Sequence, residues 1–164
     1  MSVAFTKEGD SEAAAADLPD RPVSVHPNYV TARGLAALDA ALAAARASYS
    51  AAQAAGDISA DRTAMARASR ELRYYTSRRA SARLVDAAAG SDARAPARFG
   101  SRVTFEHADG RQHSFRIVGE DEADPVAGLI SYVSPLARAL LGKAMGDIAR
   151  WNGAEVEVIG ITAA

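Results

Sequence analysis

Asp57 and Asp61 follow Gly56 with a spacing of four. Carboxylate oxygens are the hard ligands that magnesium takes, in a near-ideal octahedron that needs only one or two from a protein. On a continuing helix, side chains four residues apart share a face. The same pair also suits plainer work, with Asp57 as a helix N-cap and Asp61 as an acid near the positive helix end. Both readings stand. The cluster Glu120, Asp121, Glu122 and Asp124 reads as a solvated acidic turn. His26, His107 and His113 lack metal-ligand spacing. Cysteine is absent, which excludes disulfides and thiolate metal sites.

Arg67, Arg70, Arg73, Arg78, Arg79 and Arg83 form the other chemical series. Residues 28–90 carry nine basic and five acidic side chains, whereas residues 1–27 carry two and five. The middle of the chain alone is basic. Such a face meets phosphates without sequence preference, or pairs with acidic protein, or is simply solvated.

The elements that position these residues can be read from periodicity. Residues 1–27 combine acids, an alanine run and three prolines, the composition of a disordered arm. Thr31 suits an N-cap. Leu35, Leu38, Leu42, Ala45 and Tyr49 then recur at spacings of three and four. Gly56-Asp57 interrupts the stripe, which resumes through Met65, Ala68, Leu72, Tyr75, Ala82 and Val85. This predicts an antiparallel coiled-coil hairpin over residues 28–90, followed by a linker over 91–98.

From Phe99 the period shortens. Asp109-Gly110 and Asn152-Gly153 are hairpin turns between apolar runs. Ser134-Pro135 starts a short helix whose apolar side is Leu136, Leu140 and Leu141, with Gly142 to end it. Residues 99–164 therefore read as a small antiparallel sheet with one short helix, an α+β arrangement. No apolar run approaches a membrane span, so a soluble cytoplasmic chain is expected.

The string from Phe115-Arg-Ile-Val-Gly-Glu-Asp-Glu-Ala-Asp124 through Ile130-Ser-Tyr-Val-Ser-Pro-Leu-Ala-Arg-Ala-Leu-Leu-Gly-Lys143 to Asp147 closely resembles the Gre family of bacterial transcription elongation factors, GreA and GreB. Tyr29-Val-Thr-Ala-Arg-Gly34 resembles the start of that family's first helix. Arg70-Glu-Leu-Arg-Tyr-Tyr-Thr76 looks like the GreB version of the second. The resemblance implies an N-terminal hairpin and a C-terminal FKBP-like domain. It implies docking on the rim helices of the largest RNA polymerase subunit through Tyr132, Val133, Ser134, Pro135, Ala137 and Arg138. The hairpin would enter the polymerase secondary channel, and tip carboxylates, here Asp57 and Asp61, would help hold a magnesium ion of the polymerase active site during cleavage of backtracked RNA. The factor is then an accessory to the polymerase, with no catalytic residues, cofactor or DNA sequence specificity of its own. Arg67, Arg70, Arg73, Arg78 and Arg79 would contact RNA near its 3′ end, or polymerase. A prolyl isomerase is not licensed by an FKBP-like fold alone.

The tip departs from the family pattern. Ala60 stands where the family has its Glu, Asp61 takes the Asn position, and the tip aromatic is replaced by Ala64. Each arm is also shorter by two helical turns, roughly 10 Å. The resemblance thus implies either a cleavage factor or a non-cleaving regulator that occupies the channel.

Overall fold

The computed structural model describes residues 19–55, 60–86 and 95–163, with the side chains of Ala60 and Asp61 outside the description. The chain divides into two units. One holds Leu38–Ser81 with the described residues up to Val25, and the other holds His26–Ala37 with Ala82 onward.

In the first unit, α1 (Ala32–Ala55), from Leu38 onward, packs beside α2 (Ala60–Ser81). Alanine is the best helix former and dominates α1. Leu38, Leu42 and Ala45 bury on α1, and Ala68 on α2, as the stripe predicts. Asp39, early on α1, pairs with Arg79, late on α2. At the other end, Ala52 and Ala55 share an apolar groove with Ala64. The two helices are therefore antiparallel.

The helical stripe was expected to run on to Val85, but α2 stops at Ser81. Arg83–Leu84 instead form β2, paired in parallel with β1 (Tyr29–Val30). Backbone bonds from Arg83 N to Asn28 O (2.8 Å) and from Val85 N to Val30 O (3.0 Å) replace the helical ones. Both strands belong to the second unit. Thr31 is an N-cap there, as its position predicts, with its hydroxyl accepting from Gly34 N at 2.9 Å.

The rest of the second unit is a five-stranded sheet ordered β5-β4-β3-β7-β6. Its strands are β3 (Arg102–His107), β4 (Gln112–Val118), β5 (Leu129–Ser131), β6 (Ile148–Trp151) and β7 (Ala154–Thr162). The α+β class holds, with one difference: β5 runs parallel to β4, so the sheet is mixed. The parallel join is possible because a 3₁₀ turn (Glu120–Glu122) and a loop carry the chain back before β5 begins. Asn152 and Gly153 both have positive φ, as the Asn-Gly signal requires. One sheet face buries Val103, Phe105, Ile117, Val156 and Val158 under α3 (Pro135–Leu140), which contributes Leu136, Ala137 and Leu140. Phe115 and Trp151 pack against this core, as sheet-face residues should.

The end of the expected linker is part of this unit. Ala97 is buried and exchanges backbone bonds with Lys143 (2.7 Å) and Gly142 (2.8 Å).

Candidate docking and anion-facing sites

The Ser134-Pro135 helix start sits just after β5. Ser134 Oγ accepts from Ala137 N at 3.2 Å, which caps α3, while Pro135 occupies its first turn. Pro135 and Arg138 are exposed, and Val133 and Ser134 are partly so. These four residues present a surface. The remaining two candidates do other work. Ala137 is fully buried in the core, so its expected contact with a partner is corrected: a side chain under the sheet has no surface to offer. Tyr132 is half-buried against Tyr29 (5.5 Å) and Phe99 (5.9 Å), and its hydroxyl donates to Pro27 O at 2.5 Å.

The acidic turn beside this surface is more committed than its sequence suggests. Glu122 accepts from the Thr31 hydroxyl at 2.6 Å, a link between residues 91 apart. Asp124 accepts from Val126 N and Ala127 N, closing the loop before β5. Gly34 and Gly119 permit this closeness. A Cβ on Gly34 would come within 2.6 Å of Glu122 Oε2, and one on Gly119 within 2.4 Å of Tyr29 O. Contacts of this range leave no periodic trace in a sequence.

On α2 the arginines do not share one face. At 3.6 residues per turn, Arg67, Arg70, Arg73 and Arg79 are spread around the helix. Arg67 and Arg73 are exposed and Arg70 is partly so. Arg79 pairs with Asp39. Arg78 is 2% exposed, which corrects its place on the basic face, since a buried guanidinium cannot meet RNA. The anion-facing set reduces to Arg67, Arg70 and Arg73.

The described end of the N-terminal arm lies on this set. Asp20 Oδ1 accepts from Arg73 Nε (2.8 Å) and Nη2 (2.6 Å). Arg21 places its guanidinium 3.7 Å from the Tyr74 ring centroid and donates to Glu71 at 3.1 Å. Burial opposes the charge on Arg21, but the Tyr75 hydroxyl, Tyr74 and Glu71 outweigh it and raise its pKa. Residues 19–25 were expected to be part of a disordered arm; here Asp20 and Arg21 are seated on a helix. A charge pair at this sequence distance carries no local signal.

Asp57 lies outside the described residues. Asp61 falls in the first turn of α2, with its side chain outside the description. Among the described residues, no group of three or more His, Cys, Asp or Glu is placed to hold a metal ion, and no helix is long and apolar enough to cross a membrane.

With this geometry in view, the family match falls on the sheet unit. Residues 94–163 match the family described as transcription elongation factor, GreA/GreB, C-term. Over 74 residues the chain is 46% identical to the transcription elongation factor GreA of Ralstonia nicotianae, covering 44% of this chain and 46% of that one. Over 50 residues it is 56% identical to GreA of Legionella pneumophila, covering 30% and 31%. The chain thus spans under half the length of these relatives. Among solved structures, GreA factor homolog 1 (Gfh1) of Thermus thermophilus is 21% identical over 83% of this chain and 99% of its own, with a TM-score of 0.36. A GreA/GreB elongation factor from Nitrosomonas europaea gives 19%, 82%, 98% and 0.39. TM-scores this low add nothing to the assignment of the sheet unit.

Proposed function

We propose that this chain is a Gre-type factor that binds bacterial RNA polymerase and places its helical hairpin in the secondary channel. The observation that carries this reading is the GreA/GreB C-terminal match over residues 94–163, which includes the whole Ser134-Pro135 surface. Pro135 and Arg138, flanked by Val133 and the capped Ser134, would meet the rim helices. Arg67, Arg70 and Arg73 would face the extruded RNA or acidic polymerase surface. The relatives named above are GreA proteins; a closer kinship with GreB rests on the Arg70–Thr76 and Ala82–Asp86 stretches, Asp109-Gly110 and Phe115. A factor of this kind works in the cytoplasm and stimulates chemistry that belongs to the polymerase. The magnesium ion is likewise the polymerase's, and it would stabilise charge at the attacked phosphate. Asp57 would offer it a carboxylate.

A second reading is favoured by the altered tip. Ala60 stands in the position of the family's Glu, and the helices have 24 and 22 residues. A carboxylate must approach within about 2 Å of magnesium to bind it. A tip set back by two turns would occupy the channel without supporting cleavage.

One assay separates the two. Purified polymerase carrying backtracked RNA is incubated with this protein or with Asp57→Ala. RNA shortening that the substitution abolishes establishes a cleavage factor. Binding without shortening, together with inhibition of a GreA protein, establishes a channel-occupying regulator. Absence of polymerase binding rejects both.

A further inference from the structure

The two helices and the arm carry opposite charge and touch at a defined place. Asp20 gives one carboxylate oxygen to two nitrogens of Arg73. A phosphate oxygen approaches a guanidinium in the same way. Arg21 then covers the face of Tyr74 and reaches within 5.5 Å of the Tyr75 ring centroid. An exposed aromatic face beside arginines is where a base of single-stranded nucleic acid stacks. Asp20, Arg21 and Val23 line, with Arg70, Arg73, Tyr74 and Ser77, a half-open cavity of about 230 Å³. The arm therefore sets its own anion on Arg73 and its own planar cation on the neighbouring Tyr74.

We propose that the N-terminal arm is a displaceable cover over an α2 site for single-stranded nucleic acid. The inference rests on the reading of the α2 arginines as anion-facing, but it does not require polymerase. Charge complementarity supports it, since residues 1–27 carry five acidic and two basic side chains. Asp20, Arg21, Glu71 and Arg73 each keep more than a third of their side chain exposed. Pairs of that kind are weak and screened by salt, so a polyanion can displace them. The neighbouring aromatics favour nucleic acid over an acidic protein surface, because only the former brings bases to stack.

The test uses the full chain and a fluorescent 20-nucleotide single-stranded oligonucleotide at low salt. Asp20→Asn combined with Arg21→Gln breaks the clasp and leaves net charge unchanged. It is expected to tighten binding about fivefold. In an Arg73→Ala background Asp20→Asn alone should gain less than about twofold, because the partner it releases is already gone. Proton NMR gives a direct readout. The Arg21 side-chain protons should be shifted upfield by the Tyr74 ring, and should lose that shift when the oligonucleotide saturates the protein. Unchanged affinity in the clasp variant, or an Arg21 shift that persists in the complex, overturns the cover. If Arg73→Ala still weakens binding in that case, the anion-facing reading survives alone. No binding by any variant overturns both. Displacement of the arm by polyglutamate as readily as by the oligonucleotide would assign the face to acidic protein and reject the nucleic-acid site.

Discussion

Arg78 and Arg67 share a residue type, a helix and a charge, yet they do different jobs. Arg78 is buried, and its aliphatic stem and guanidinium are part of the packing. Arg78→Ala should lower the thermal midpoint, whereas Arg67→Ala at an exposed position should change stability by no more than about 0.5 kcal/mol. Calorimetry on the two variants checks this. Asp109 offers a second test. The backbone N–H of Arg111 donates to it at 3.1 Å and the Arg111 side chain at 2.7 Å, which depresses its pKa below the ordinary aspartate value. A depressed carboxylate stabilises the fold above its unfolded pKa, and that contribution is lost as pH falls through the lower folded value. A carbon-13 titration of Asp109 should therefore find its midpoint below that of a free aspartate. Arg111→Ala should raise it only part of the way, since the backbone donor remains.

At the scale of elements, α3 is six residues held by one cap and three buried side chains. Ser134→Ala removes the cap and should cost about 0.5–2 kcal/mol. Leu140→Ala opens a cavity under the sheet and should cost about 2–5 kcal/mol. Chemical denaturation of both variants tests the order. Gly119→Ala forces a Cβ into the Tyr29 carbonyl and should cost about 1–3 kcal/mol without altering any hydrogen-bonding side chain. The sheet, its two turns and α3 were legible because alternation, Asn-Gly, Asp-Gly and Ser-Pro are local signals. The α1 stripe was legible for the same reason, through Leu38, Leu42 and Ala45. The β1–β2 pair was not: each strand has two residues, and a parallel ladder between residues 29–30 and 83–84 has no local mark. The arginine series misled at Arg78 because residue type suggests exposure; Arg78 lies only about 20° around α2 from the exposed Arg67, so its burial follows from its place along the helix and not from its azimuth. Of the docking candidates, Ala137 misled because a family string records sequence and not burial.

Across the whole molecule, charge is divided rather than balanced, and the arm is the acidic share opposite the basic helices. Its ion pairs, Asp20–Arg73 and Arg21–Glu71, lie at the surface and are worth about 0–1 kcal/mol each. A chain beginning at His26 should therefore keep its circular-dichroism spectrum and lose little in melting temperature, while the oligonucleotide affinity rises. Loss of the helical signal in that truncated chain would show that the arm is structural. Tyr29, Phe99 and Tyr132 meet edge to face, and Thr31 and Tyr132 reach across 91 and 105 residues to Glu122 and Pro27. These contacts also set a timetable for the ribosome. At about 5–20 residues per second, the partners of Tyr29 and Thr31 leave the exit tunnel roughly 3–20 seconds after them. For that interval the nascent chain holds a capped helix start and an exposed tyrosine with nothing to close against, a window in which a chaperone or a protease meets it first.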